Sequence, residues 1–288
     1  MLDPMRRCKL QVTAQTQRLF FFVKDDQGVA VSNALVKAGF YLNGKKGNSI
    51  RAYTATNGIF VAEKKSVGEI NYWINKEGYY ETSGRLNYVR NGVSDGRWQP
   101  YGATNTVVLK RKVNPVAMCV RRKGDGILRP VKNEYLGFDL EKGDWVAPHG
   151  AGRVADLRVR YECEPGVPPQ LYCRSVATLS FTNRFDGAYR MTKEPFSAFQ
   201  SVYRADTNAL YQQELRFAYD RLSGKPKEDT RLPDSEYLVL RTRSVINKDG
   251  NLVSAHYSKM YGPIEADVGG VYFSSYFNPN ENNPNLEA

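Results

Sequence analysis

The chain has 288 residues, of which 41% are hydrophobic and 25% charged, a composition that excludes a fibrous or a disordered protein. No apolar run approaches the ~18 residues that a membrane-spanning helix requires, so no transmembrane segment is predicted. The formal net charge is +11, and residues 1–112 carry nearly all of it, with 18 basic and 8 acidic residues. A region this basic attracts polyanions.

Residues 18–113 alternate between apolar and polar side chains with a period of two, and turn signals interrupt the alternation. This pattern predicts a β-sandwich. Asn57-Gly58 is a signal for a tight hairpin. Within the predicted strand Glu69–Asn75, one face is expected to hold Ile70, Tyr72 and Ile74, and the other Asn71, Trp73 and Asn75.

Three segments of this region resemble the landmarks of the carboxypeptidase regulatory-like domain. They are Gly28–Ala38, Thr54–Phe60 and Lys76–Tyr79. The resemblance implies a transthyretin-like, immunoglobulin-like β-sandwich over residues 17–112. Domains of this family resemble spacers and binding modules of secreted bacterial proteins, and the resemblance supplies no catalytic residue.

The later part of the chain, residues 113–278, also alternates and predicts a second antiparallel β domain. Its predicted strands are residues 153–163, 171–181, 211–219, 237–246, 252–261 and 271–277. The whole chain is therefore predicted to be all-β. Two further segments are predicted outside the domains, an N-terminal extension of residues 1–16 and a C-terminal tail of residues 279–288.

Segments of the later part resemble uncharacterised bacterial proteins in which the same N-terminal module is followed by a β-rich region. The segments are residues 137–145, 276–279 and 285–287. This resemblance implies an extracytoplasmic location, in the periplasm, in the cell envelope or as a secreted protein. Arg6-Arg7 is not followed by an apolar stretch, so no signal peptide is visible in the sequence.

The cysteines suggest one covalent link. If Leu157 pairs with Leu179, Cys163 falls opposite Cys173 with the Cβ atoms ~5 Å apart, which is near enough for a disulfide. Two reduced thiols are the alternative. The four cysteines, Cys8, Cys119, Cys163 and Cys173, lack zinc-binding spacing, and no metal site or cofactor is predicted.

Two features are catalytic candidates. Gly92–Gly96 matches the G-x-S-x-G nucleophile pattern, but no helix follows it, so a surface loop is predicted. His149 could act as a base with acidic neighbours, which makes a hydrolase one alternative, whereas His256 is predicted on a solvent face. The acidic neighbours of His149 in the sequence are Asp139, Glu141 and Asp144.

Six aromatic residues are the candidate ligand-binding residues, because flat rings beside Asn, Gln and Arg suit stacking on sugars or bases. They are Trp73, Tyr79, Tyr80, Tyr88, Trp98 and Tyr101. Half-buried positions on a sheet are the structural alternative for such rings. The sequence therefore favours a non-enzymatic binding or structural module that recognises a glycan or a protein. A polyanion binder, for an acidic polysaccharide or the less favoured nucleic acid, is the other alternative.

Overall fold

The computed structural model describes residues 13–42, 47–123, 131–166, 173–222, 226–267 and 270–288. The chain forms two compact units. Unit 1 comprises Met1–Lys112 and Phe196–Gln200, and unit 2 comprises Val113–Pro195 and Ser201–Ala288. In the described part, regular structure consists of strands and one 3₁₀ turn, Val89–Asn91. This confirms the prediction of an all-β fold with several sheets.

In the described residues, unit 1 forms nine strands in two sheets. The strands are β1 (Gln15–Asp25), β2 (Leu35–Phe40), β3 (Ser49–Tyr53), β4 (Ile59–Ser66), β5 (Glu69–Asn75), β6 (Thr82–Asn87), β7 (Val93–Ser94), β8 (Arg97–Trp98) and β9 (Ala103–Leu109). One sheet has the order β4-β1-β8-β7, with β9 also paired to β1, and the other has the order β3-β2-β5-β6. We call the second of these the B sheet.

The two sheets of unit 1 share a hydrophobic core. On β1, every second residue from Leu19 to Val23 is buried, and on β5 the buried residues are Ile70, Tyr72 and Ile74, as the alternation predicts. Because side chains on a strand point alternately to opposite faces, the remaining residues of β5 lie on the outer face of the B sheet. The core thus determines which side chains of the B sheet can meet a ligand.

The Asn57-Gly58 turn does not close a hairpin, which corrects the sequence prediction. β3 pairs with β2 and β4 pairs with β1, so the turn carries the chain from one sheet to the other. Buried Thr54 holds the end of β3, because its Oγ1 donates to the carbonyl oxygen of Val31 (2.7 Å) and accepts from the amide of Ala34 (2.9 Å). On the other side of the turn, the carbonyl of Gly58 accepts from the amide of Val23 on β1 (2.9 Å).

A short segment from late in the chain extends the B sheet beyond β6. The amide of Ser83 donates to the carbonyl of Phe196 (2.9 Å), and the amide of Ala198 donates to the carbonyl of Glu81 (2.8 Å). The ring of Phe199 stacks on that of Tyr80 with a centroid separation of 4.9 Å. This segment covers the backbone of β6, which would otherwise be an open sheet edge.

The part of unit 2 that the structure describes forms eleven strands in two sheets. The strands are β10 (Cys119–Arg121), β11 (Leu136–Asp139), β12 (Asp144–Trp145), β13 (Leu157–Pro165), β14 (Cys173–Ser180), β15 (Gly187–Thr192), β16 (Glu214–Asp220), β17 (Glu228–Asp229), β18 (Glu236–Ile246), β19 (Leu252–Asp267) and β20 (Gly270–Phe277). The sheet orders are β10-β20-β19-β18-β15 and β12-β11-β13-β14-β16-β17. The predicted strands 237–246 and 252–261 are confirmed, and they pair as the hairpin of β18 and β19.

The predicted pairing of the two cysteines in unit 2 is wrong by two residues. Cys163 lies opposite Ser175, and Cys173 lies opposite Pro165, so no disulfide joins the two thiols. The faces were predicted correctly, because a shift of two residues keeps every side chain on its own side of the sheet. Cys8 lies outside the described residues.

Residues 279–288 belong to unit 2, although the sequence suggests a separate tail. Leu286 and Glu287 are buried. The Glu287 carboxylate accepts from the backbone amides of Val113 and Asn114, both at 2.7 Å. In the part of the chain that the structure describes, no helix has the length and apolar character needed to cross a membrane.

Replacing Thr54 with valine should destabilise unit 1. Valine has nearly the same shape but leaves the amide of Ala34 and the carbonyl of Val31 buried without this partner, which costs about 1–3 kcal/mol. The Thr104→Val variant is the control, because Thr104 is exposed on β9 and its replacement should change stability by less than about 0.5 kcal/mol. Urea unfolding followed by circular dichroism measures both, and equal effects would contradict the role of Thr54.

Candidate functional site

Three of the six candidate aromatic residues are part of the structural core of unit 1. Tyr80, Tyr88 and Trp98 are all buried, and Trp98 is only 3% exposed. The indole Nε1 of Trp98 donates to the carbonyl oxygen of Ser66 (2.8 Å). A buried tryptophan whose only donor is satisfied by the backbone cannot present its ring to a ligand.

Two of the other candidates are half-buried and already have partners. The hydroxyl of Tyr101 donates to Glu63 (3.0 Å), and its ring lies 4.8 Å from the guanidinium carbon of Arg97. The ring of Tyr79 lies within 6 Å of the charged groups of Lys76 and Arg111. Tyr101 contacts a residue of β4, in the sheet opposite the B sheet, so the structure does not bring the six rings into one cluster.

Trp73 is different, because it lies exposed in the middle of the outer face of the B sheet. Its side chain is 42% exposed. The strand register places Trp73 between Lys37 on β2 and Ser83 on β6. The neighbours of Trp73 along β5, Tyr72 and Ile74, are both buried in the core. The indole therefore stands on a surface that the sandwich itself does not use.

Two shallow cavities meet at Trp73. The larger has a volume of about 390 Å³, and the smaller about 260 Å³. The larger extends from Trp73 towards the end of the B sheet, and its other lining residues include Asn33, Leu35, Tyr53, Asn75 and Glu77. The smaller lies on the other side, and its lining residues include Gly39, Tyr41, Ser49 and Asn71. Trp73 is common to both, so a ligand that filled either cavity would contact it.

Two further exposed rings on this face were not predicted from the sequence. Tyr53 on β3 is 58% exposed, and Tyr41 directly follows β2. The register places the Cα atoms of Tyr53 and Trp73 about 12 Å apart, two strand spacings across and two residues along the sheet. The hydroxyl of Tyr41 accepts from the side-chain amide of Asn71 (2.8 Å). Alternation within β3 indicates that Tyr53 faces outward, but only the strand order places it near Trp73.

Charged side chains surround the larger cavity. Lys37 and Lys76 line it together with Glu77 and Glu81. Lys76 is engaged, because its Nζ donates to the carbonyl of Ser32 (2.7 Å). The two glutamates are exposed. A cavity with aromatic rings, side-chain amides and both signs of charge can bind a hydroxyl-rich ligand.

The residues of the hydrolase alternative do not assemble around His149, whose side chain is exposed. In the described residues, no hydrogen bond or ion pair joins its ring to Asp139, Glu141 or Asp144. Asp139 and Glu141 instead bind Arg243, at 3.3 and 2.7 Å. Asp144 accepts from backbone amides within its own loop.

Half-buried Arg243 is the centre of an ionic cluster in unit 2 that also includes buried Asp156, at 2.7 Å. Burial raises the pKa of Asp156, and the hydrogen bond from Arg243 offsets only part of this effect. Burial acts in the same direction on Asp139, but backbone amides, that of Arg153 first, outweigh it and lower the pKa. These carboxylates are committed to an arginine and to amides, so the cluster has a structural role.

The Gly92–Gly96 candidate and the second histidine, His256, also have structural roles. Gly92–Gly96 spans the turn between β7 and β8, with Asp95 and Gly96 in the left-handed region, and not a strand-to-helix elbow. The ring of His256 is half-buried and stacks on Phe277 at 5.3 Å. Within the described part of the chain, no group of three or more His, Cys, Asp or Glu side chains is arranged to hold a metal ion.

Comparisons with known proteins give partial likenesses. No protein-family model matches the chain, and no curated protein matches it. The structure of a DUF3823 family protein from Parabacteroides merdae aligns with 80% of this chain. The alignment covers 92% of that protein's chain, with 12% identity and a TM-score of 0.24.

Several dioxygenase structures match a smaller share of the chain. The 3-chlorocatechol 1,2-dioxygenase of Rhodococcus opacus aligns with 38% of this chain, with 15% identity and a TM-score of 0.27. The catechol 1,2-dioxygenase of Acinetobacter radioresistens aligns with 35% of this chain, with 14% identity and a TM-score of 0.28. The matches span 64% and 53% of those chains. Function therefore has to be argued from the residues of this chain.

The contrast between Trp73 and Trp98 can be tested by stability. The Trp98→Ala variant should lose about 3–5 kcal/mol of unfolding free energy, because it leaves a cavity in the core. The Trp73→Ala variant should stay within about 0.5 kcal/mol of the unchanged protein, because the ring is exposed. Urea unfolding monitored by circular dichroism compares the two, and a large loss for Trp73→Ala would show that this ring is structural.

Proposed function

We propose that the chain is a non-enzymatic binding module that holds a glycan on the outer face of the B sheet, with Trp73 as the central contact. The observation that carries this proposal is the exposure of Trp73 between two cavities, in the middle of a sheet face that is otherwise largely polar. A large exposed ring at such a position adds nothing to the core.

The chemistry of this face suits a sugar. The C–H side of a pyranose ring is apolar and can pack flat against an indole, while its hydroxyls need donors and acceptors around the rim. Asn33, Asn75 and Glu77 supply such groups in the larger cavity, and Asn71 supplies an amide in the smaller one. Exposed aromatic residues whose Cα atoms lie about 12 Å apart favour an extended ligand over a single sugar.

The carboxylates of the larger cavity support binding better than hydrolysis. A glycosidase needs one carboxyl group that stays protonated near neutral pH, and enzymes achieve this by burying it. Glu77 and Glu81 are both exposed. They are better suited to accept hydrogen bonds from sugar hydroxyls than to act as a general acid.

Replacing Trp73 with alanine should abolish or strongly weaken glycan binding. The expected loss is at least about 30-fold in affinity, since truncating a central aromatic contact costs about 2 kcal/mol or more. The measurement is retention of the whole protein on a panel of immobilised polysaccharides, namely dextran, xylan, β-glucan, chitin, alginate and polygalacturonate, followed by titration calorimetry on any that bind.

Tyr135→Ala is the matched control for that experiment. Tyr135 belongs to unit 2 and is 38% exposed, close to the exposure of Trp73, and its ring contacts Arg158. Its replacement should leave binding unchanged. Failure of every polysaccharide to bind, or equal binding by the Trp73→Ala variant, would contradict the proposal and favour a protein partner for this face.

We also propose that the protein works outside the cytoplasm, in the envelope or as a secreted module. The resemblance of unit 1 to the carboxypeptidase regulatory-like domain supports this location, as does a glycan-binding surface. Fractionation of cells that carry the gene should then place the protein in the periplasmic, membrane or culture fraction. Recovery in the cytosol alone would overturn the proposal.

A further inference from the structure

Beside Trp73, two basic residues lie in the same row across the outer face of the B sheet. Lys37 on β2 is paired on one side with Arg51 on β3 and on the other with Trp73 on β5. All three side chains are exposed. Adjacent strands are about 4.8 Å apart, so the row brings an ammonium group, a guanidinium group and an indole within reach of one small ligand.

The two cations of this row lack partners of opposite charge. Neither the Lys37 nor the Arg51 side chain forms an ion pair or hydrogen bond with any residue that the structure describes. Like charges directly opposite each other on neighbouring strands destabilise a sheet. A local conflict of this kind is expected where function requires it, because an anionic ligand would remove the repulsion.

We propose that the glycan bound at this face is an acidic one, whose uronic acid carboxylate is held by Lys37 and Arg51 while its ring lies against Trp73. This inference rests on the proposed function and names the class of ligand. The planar guanidinium of Arg51 can grip a carboxylate with two parallel hydrogen bonds, and Lys37 adds a compact positive charge. The next sugars of the polysaccharide would extend over Leu35 towards Tyr53 and Asn75.

The ligands for the test are alginate and polygalacturonate, each compared with its own carboxyl-reduced form. Reduction turns each uronic acid carboxylate into a hydroxymethyl group and leaves the rings and linkages in place, so the two forms differ only at the carboxyl position. At 0.15 M salt, where charges further than about 8 Å from the ligand are largely screened, the acidic form should bind at least about tenfold more tightly.

The Lys37→Met, Arg51→Met double variant should lose this preference. We expect it to bind the acidic and the reduced polysaccharide equally. Its melting temperature should be unchanged or higher, because the substitution removes a repulsion at exposed positions. The Trp73→Ala variant should instead weaken binding to both forms.

The matched control removes two positive charges elsewhere in unit 1. Lys64 and Lys65 are exposed on β4, in the sheet opposite the B sheet. The Lys64→Met, Lys65→Met variant should keep the preference for the acidic form. If it loses the preference to the same degree, or if double-stranded DNA binds as tightly as the acidic glycan, the effect comes from the general charge of unit 1 and the inference is wrong.

The inference and the proposed function fail in different ways. Equal binding of the acidic and reduced polysaccharides by the unchanged protein would overturn the assignment of an acidic glycan, while glycan binding through Trp73 would stand. Failure of both forms to bind, together with failure of the neutral polysaccharides, would remove the proposed function itself.

Discussion

Each strand of a sandwich buries one of its two faces in the core, and this constraint determines which side chains of unit 1 are exposed. On β5 the side chains of Tyr72 and Ile74 are buried. A shift of one residue would bury Trp73 and expose those two side chains, so the register is strongly specified and the exposure of Trp73 follows from it. The indole stands on the surface because burying its neighbours leaves it no other position.

The same alternation explains why much of the fold could be predicted from the sequence. A strand with one buried face, such as β5, can be recognised from the alternation of a few residues. A hairpin such as β18 and β19 can be recognised from the turn between its two strands. The pairing of strands that are distant in the sequence cannot be predicted from the local sequence of either strand. The Asn57-Gly58 turn has the residues of a tight hairpin, but the contacts that direct its two strands to different sheets come from Val23 and Val31, far back in the chain.

The candidate surface around Trp73 was only partly predictable for the same reason. Trp73 could be chosen because it lies in a long alternating strand, whereas Trp98 lies in the two-residue strand β8, which is too short to show which face is buried. Lys37 and Arg51 carry no signal of their own in the sequence. They become neighbours of Trp73 only because β2 is inserted between β3 and β5 in the sheet, and that order depends on long-range pairing.

The charge conflict between Lys37 and Arg51 is a local feature and not a simple consequence of a basic domain. Several other charges of unit 1 form ion pairs. On the same face of the B sheet, Arg85 forms an ion pair with Glu69 at 2.6 Å, and in the opposite sheet Arg18 lies 3.7 Å from Glu63. Each of the two sheets of unit 1 therefore carries an ion pair. Unpaired cations lie side by side in the row of Trp73, where a bound carboxylate would supply the missing negative charge.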